Sequence, residues 1–457
     1  MNTKTSRTLF VLASSLIAGT TIGAAGCSDL SEDVFSEQSA ALGDRIPGTS
    51  TTDSNFASFK ANFNAREAIT DGLGPIFNAE GCGVCHDAGA AGGASATRIE
   101  RRYGRFVNGV FDPLANRGGS LRQLFSVGAF TGRNGQACNP PVESEPAEAT
   151  VHNVGRVTTP LFGLGLVDSM PDSFFTGMAA GEPTATRGVA NIVSIVLPND
   201  RDVNQNIGTQ RVGRFGWKAG VPNLLQFAAD AYLNEMGITT SHCSRGVPNR
   251  AFATENRANR APTNAIINGC PDDQKPGIDD DFAGENNNCS GGRNELQDDV
   301  ANFTFFMAHL APPAAVAITA GTSQDRGRTL FNSAALQCSG CHRTDADIFV
   351  STSAGGVPSG IRFAPYSDFL IHDMGTAGDG IGNAGDSVSV THRMRTAPLW
   401  GLRSRNKLMH DGGTTDRQVA IQRHAGGTAG QGTAAANAFN ALTSSQKTDL
   451  VNFLQTL

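Results

Sequence analysis

Apolar positions in this chain fall at helical spacing in five stretches, separated by long polar and glycine-rich runs. Phe63, Ile69, Leu73, Ile76 and Phe77 share roughly one side of the first. The second runs from Pro222 to Met236, with Leu225, Ala228, Ala229, Tyr232 and Leu233 on one face. A third, near Leu296–Leu310, carries Val300, Phe303, Phe306 and Leu310 and stops at Pro312-Pro313, because proline cannot continue a helix. An amphipathic stretch at Gln324–Leu336 is the fourth. A terminal helix begun by Ser444-Ser445, with Leu450, Phe453, Leu454 and Leu457, is the fifth. Between them, Ala88–Ser126 shows no sustained period and predicts no elements.

Two of these stretches lead into the same short motif. Cys82-Gly83-Val84-Cys85-His86 follows the first, and Cys338-Ser339-Gly340-Cys341-His342 follows the fourth. Cys-x-x-Cys-His is the attachment signature of c-type haem. Two thiols three positions apart reach the two vinyl groups of one porphyrin, and the next His offers a neutral imidazole nitrogen to its iron. Chance gives roughly 0.003 such runs at this Cys and His content, so two are not accidental. A thioredoxin-like pair or half a zinc site explains neither His, and no further Cys-x-x-Cys stands near enough to complete a zinc ribbon. The expected fold class is therefore mainly α: two cytochrome c-like haem domains, residues 63–313 and 314–457, each binding one covalent haem c.

The N-terminus agrees. Lys4 and Arg7 precede an apolar run from Leu9 to Ala25, diluted by Ser14, Ser15, Thr20 and Thr21, and Ala24-Ala25-Gly26 precede Cys27. That pattern predicts a lipoprotein signal peptide at 1–26, with lipidation at Cys27. The protein would then be exported, held on the periplasmic side or at the outer membrane by its lipid alone. Residues 27–62, rich in Ser, Thr, Asp and Ala, read as a flexible tether. Loss of Lys4 and Arg7 moves the net charge from −6 to −8, which gives no reason to expect nucleic-acid binding. Cys138, Cys243, Cys270 and Cys289 remain. In an oxidising compartment they suggest two disulfides of open pairing, three of the four cysteines lying in a stapled loop at 240–292.

With these residues in view, the chain resembles the bacterial di-haem oxidoreductases related to di-haem cytochrome c peroxidase, members of which are often labelled thiol oxidoreductases. The resemblance rests on Asp71-Gly72-Leu73-Gly74-Pro75, Gly163–Asp168, Gly213–Ala219 and Ile371-His372-Asp373-Met374-Gly375. It rests also on Arg395–Leu402 followed by His410-Asp411-Gly412-Gly413. It implies a sixth ligand of the second haem fourteen residues after His410, at His424, where peroxidases typically carry Met. A bis-His, low-spin second haem follows, held by His342 and His424, with a lowered potential. His86 would hold the first haem with an open sixth position, since no His stands between His86 and His152. The resemblance also implies Gln226 and Glu235 as distal catalytic residues, with His152 and Asp168 as alternatives. Trp217, rather than Trp400, would carry electrons between the haems. The glycine-rich apolar run His152–Asp168 is expected at a haem rather than at a phosphate, and His372, His392 and His410 at propionates or turns. Relatives hold calcium beside the His-Asp-Gly turn, but here Arg405 and Lys407 stand on that approach, which counts against the ion.

The expected activity is reduction of hydrogen peroxide at the first haem, with electrons from a small redox protein or cytochrome relayed through the second. An oxygen-dependent enzyme of the rubber-oxygenase type, or of the methylamine-pathway oxidase type, shares this plan. A non-catalytic electron carrier would instead have both haems closed by protein ligands.

Overall fold

The computed structural model describes residues 42–131, 137–198, 205–238, 299–352 and 357–457, with the backbone of 243–244 and 247–248. The segment 1–26 expected to be a signal peptide, Cys27, most of the loop 240–292, and the side chains of all four spare cysteines lie outside the described residues. Residues Gln38–Leu457 form one compact unit.

The first helix, α1 (Asp53–Asn64), lies inside the stretch expected to be a tether. Thr52 caps it, its hydroxyl accepting the Asn55 N–H at 3.1 Å. Phe56, Phe59 and Phe63 recur at i, i+3 and i+7 and are buried. This aromatic stripe outweighs the polar composition around it, so the tether reading of 53–62 is corrected. One-turn helix α2 (Cys82–Cys85) follows. A third short helix, α3 (Leu164–Asp168), and then α4 (Leu224–Met236) build the same core. Helix α4 begins where Asn223 accepts the Gln226 N–H at 2.8 Å and ends at Gly237, whose φ of 72° suits glycine.

Helix α5 (Asp299–His309) is buried on every side from Val300 onward, its apolar residues outnumbering the buried Asn302, Thr304 and His309. Its Phe305 and Phe306 meet α1, with ring centres 5.3 Å from Phe59 and 4.6 Å from Phe63. Tyr232 of α4 packs edge-on against Phe303 from the other side. This cluster also takes in Phe349, Phe363, Phe369 and Trp400 from the C-terminal half. A second cluster belongs to α6 (Ser323–Phe331), the one-turn α7 (Cys338–Cys341) and the terminal helix α8 (Ser444–Leu454). There the Phe331 and Phe453 rings pack at a tilt with centres 5.3 Å apart. The cap of α8 is Thr443 rather than Ser444: Thr443 and Gln446 form a reciprocal capping box.

The mainly α expectation holds only in part, because the described residues mix helix with strand. Segment 100–156, for which the sequence predicted no elements before Ser126, supplies an antiparallel four-stranded sheet. Its centre is β1 (Glu100–Val107), flanked by β2 (Val110–Asp112), β3 (Leu121–Arg122) and β4 (Val151–Arg156). Strand periodicity sends Glu100 and Arg102 to one face, and β4 sets Arg156 directly opposite Glu100. Ribbon β5 (Ile371–Asp373) with β6 (Arg393–Arg395) belongs to the C-terminal half.

Gly165 marks the closest approach of α3 to α5: a Cβ there would lie 1.8 Å from the Ala308 carbonyl oxygen. Gly165→Ala is therefore expected to lower the urea midpoint of the intact protein, at about 1–3 kcal/mol for overpacking a core. An unchanged midpoint would contradict the contact.

Candidate functional site

Each Cys-x-x-Cys-His run folds as one helical turn whose next residue is the His. The His86 N–H donates to the Cys82 carbonyl at 3.0 Å, and the His342 N–H to the Cys338 carbonyl at 3.0 Å. One turn brings both thiols to one side of a cavity and drops the imidazole beside them. Burial keeps these thiols protonated, Cys85 pushed up to about 12 and Cys338 to about 11. Buried neutral thiols are poor metal thiolates. Both imidazoles are held neutral by the same burial, pushed down to about 4.

Three backbone carbonyls decide which nitrogen of each ring is available. His86 Nδ1 lies 3.0 Å from the Gly93 oxygen, His342 Nδ1 2.9 Å from the Tyr366 oxygen, and His424 Nδ1 2.9 Å from the Ala420 oxygen. A carbonyl only accepts, so Nδ1 carries the proton in each ring and Nε2 keeps its lone pair.

The rings of His342 and His424 lie with centres 6.4 Å apart and planes inclined at 65°. A metal held by both imidazoles at about 2.0–2.1 Å would separate the ring centres by roughly 6.3 Å, with about 1.1 Å from nitrogen to ring centre on each side. They line a largely apolar cavity of about 250 Å³ with Cys338, Cys341, Phe331 and Leu454. Arg395, Lys407, Arg405 and Arg417 also reach it. The Arg405 guanidinium is buried and pushed down to about 9 by desolvation, then by the like charge of Arg395. Its Nε, and that of Arg417, have no hydrogen-bond partner among the described residues. Guanidinium N–H groups buried without a partner call for an anion, and a porphyrin carries two carboxylates. The thiol pair, the opposed imidazoles and the unmet guanidinium donors together fit haem.

His86 opens on a larger cavity, about 640 Å³, lined by Cys82 and Cys85 and by a polar set. Among the described residues on its wall, His86 is the one histidine. The two thioethers there, Met236 and Met307, are buried in the main core. Glu235 reaches this cavity from the last turn of α4, and Glu100 and Arg102 reach it from β1. Asn78 Nδ2 donates to Glu235 at 3.0 Å, and Arg102 Nε donates to Glu100 at 2.7 Å. Burial first, then the neighbouring carboxylate of Glu100, raises Glu235 well above the usual carboxylate range. Glu100 is held low by Arg102 and Arg156 despite its own burial. Two carboxyl groups with opposed shifts make one proton holder and one permanent anion.

Gln226 also lines this cavity, but its carboxamide oxygen accepts the N–H groups of Val196 (2.9 Å) and Leu197 (3.3 Å), a structural role. His152 lies outside it, exposed and paired with Glu145. Asp168 also lies outside, in an ion pair with Arg211. Within the run His152–Asp168, Arg156–Leu161 supplies wall residues to the two cavities, while Gly163–Asp168 packs against α5 and Trp400. Trp217 lines both cavities, whereas Trp400 is buried in the main core. His372 sits between Asp368 (2.8 Å) and the Cys341 sulfur (3.8 Å). His410 sets its ring edge-on to Trp217. Glu100, Arg102 and Arg417 escaped sequence reasoning; the Glu-x-Arg alternation on β1 was the available signal.

A family model described as "Di-haem oxidoreductase, putative peroxidase" matches residues 124–457. No curated protein matches. Among solved structures, a MauG-like protein associated with microbial copper homeostasis is 13% identical, covering 92% of this chain and 93% of that one, at a TM-score of 0.36. A variant of the diheme peroxidase BthA from Burkholderia thailandensis is 12% identical, covering 74% and 93%, at 0.32. Hydrazine synthase from Kuenenia stuttgartiensis is 15% identical over 35% of this chain, at 0.25, and only 55% of its own length is spanned. Likeness at these scores carries no argument about chemistry.

An acid whose pKa is raised on folding adds stability below its unfolded pKa and loses it as pH rises through the folded value. Wild type is therefore expected to lose thermal stability, relative to Glu235→Gln, as pH climbs through the elevated Glu235 pKa. Parallel curves of Tm against pH would contradict the shift.

Proposed function

The chain belongs to the di-haem oxidoreductase family, and from that premise we propose that it is an exported peroxidase with one open and one closed haem site. Two haem cofactors and an oxidoreductase activity come with the family. The rest is our reading. Cys82 and Cys85 would hold one haem and Cys338 and Cys341 the other through thioether bonds, with His86 and His342 offering their Nε2 to the iron. His424 closes the second site.

One observation carries this reading. The second cavity sets two imidazoles 6.4 Å apart, while the first pairs a single imidazole with a proton-holding acid and a guanidinium. When bound, the haems supply redox-active iron, open to small reactants only in the first cavity. Reducing hydrogen peroxide to two waters takes two electrons and two protons. Glu235, kept protonated, donates a proton to the departing oxygen; Arg102 stabilises the negative charge developing there. Glu100 keeps Arg102 in place and makes Glu235 hard to ionise. Trp217 spans the two cavities as the path for electrons from a reduced small redox protein. Gln226 serves the scaffold.

Export follows from the leader and from the covalent haem chemistry, with Cys27 as the lipid anchor. Among the described residues no helix is long and apolar enough to cross a membrane.

The test is steady-state peroxide reduction by the holoprotein with a reduced cytochrome. Glu235→Gln is expected to lower kcat by about 10²–10⁴-fold, as loss of a general acid does, with the donor KM unchanged. Full activity in that variant would remove Glu235 from the chemistry. Oxygen consumption without peroxide turnover would point to the oxygenase reading, and no reaction with either to an electron carrier.

A further inference from the structure

Trp217 touches both cavities, and neither cavity wall alone holds it there. Its indole Nε1–H donates to the Val157 carbonyl at 2.7 Å. The residue before Val157 is Arg156, and the residue after Trp217 is Lys218. These two cations meet on a single carboxylate. Arg156 Nε donates to Asp379 Oδ2 at 2.7 Å, and Lys218 Nζ lies 2.7 Å from Asp379 Oδ1. Arg156 Nη2 stands 2.6 Å from the same Oδ2, at an angle that makes no second hydrogen bond. The Asp379 side chain has 0% exposure, and the Ile381 N–H donates to its Oδ1 at 3.0 Å. Lys218 also donates to the carbonyls of Thr391 and Arg393, both at 2.7 Å.

We propose that Asp379 is the positioning residue of the bridging tryptophan. Its carboxylate ties together the residues on either side of the indole–carbonyl hydrogen bond. The closed circuit runs from Trp217 through Lys218, Asp379, Arg156 and Val157 back to the indole. Charge-assisted bonds at 2.7 Å in a buried site are strong and directional, so the circuit selects one orientation of the ring. Two further contacts brace it: the Arg395 N–H donates to the Trp217 carbonyl at 2.7 Å, and the Val157 N–H to that of His410 at 2.7 Å. The functional consequence rests on the relay reading of Trp217; the clamp itself does not.

Removing one partner of a buried ion pair leaves an uncompensated charge. Asp379→Asn keeps the shape but strands two cations. Lys218→Met removes one arm and leaves the neutral Arg156–Asp379 pair, so it decides the matter if Asp379→Asn yields no holoprotein. The direct readout is ultraviolet resonance Raman of the indole N–H in the intact holoprotein, with Trp217→Phe and Trp400→Phe to assign the bands. The two tryptophans differ, because Trp400 Nε1 has no hydrogen-bond partner among the described residues. Both clamp variants are expected to shift the Trp217 band to the position of a weakly bonded indole. An unchanged band would overturn the proposal.

The second readout is inter-haem electron transfer after rapid one-electron reduction. The clamp variants are expected to slow it by about tenfold or more, as misplacing a reacting group does, and to have no further effect in a Trp217→Phe background. Equal slowing in that background would also overturn the proposal. If Trp217→Phe itself leaves the rate unchanged, the relay reading fails and the Raman band alone judges the clamp.

Discussion

A histidine that donates its Nδ1–H to a backbone carbonyl in a buried site has only one nitrogen left for a ligand. His86, His342 and His424 are all held this way, by Gly93, Tyr366 and Ala420. Much of the surrounding backbone serves those three carbonyls. Gly93 packs so closely on Ala88 that a Cβ would lie 2.1 Å from its carbonyl oxygen, and Tyr366 takes a left-handed φ of 54°. The motif helices set the thiols, but the carbonyls aim the imidazoles. Without them each ring could rotate or change tautomer, and the opposition of His342 and His424 would be lost.

From that shared device the two cavities diverge through their charges. The second is largely apolar with cations and no carboxylate among its wall residues, and the buried Nε of Arg405 and of Arg417 has no hydrogen-bond partner among the described residues. The first gathers both signs and lets Glu100 and Glu235 titrate apart. Cations around a closed site favour an anionic group held permanently. A carboxyl pair beside an open site favours proton movement. The junction between them is a third kind of buried electrostatics, a neutralised cluster in which Asp379 satisfies two cations and neither cavity needs its charge.

What was legible in the sequence was local chemistry and long-period structure. The helices over 224–236 and 299–309 stand where apolar spacing placed them, and each Cys-x-x-Cys-His run lines a cavity. The resemblance points to His424, fourteen residues after His410, and the fold sets its ring centre 6.4 Å from that of His342. The misses share a cause. Helix α1 hides three phenylalanines among Ser, Asn, Asp and Lys, so composition outvoted periodicity. The sheet of 100–156 gives no apolar alternation because Glu100, Arg102 and Arg156 turn into a cavity rather than to solvent. Arg405 enters the sequence reading only as a cation that counts against calcium, and its place on the wall of the second cavity comes from the fold. Asp379 sits in a glycine-rich loop whose partners, Arg156 and Lys218, lie far off in sequence. No local pattern could have disclosed it.

The central claim is that the two sites differ in coordination, and low-temperature EPR of the oxidised, haem-loaded protein addresses it most directly. The account predicts one high-spin and one low-spin ferric signal in equal amounts, with the low-spin signal abolished by His424→Ala. Two low-spin signals in the wild type, or a low-spin signal that survives His424→Ala, would contradict it.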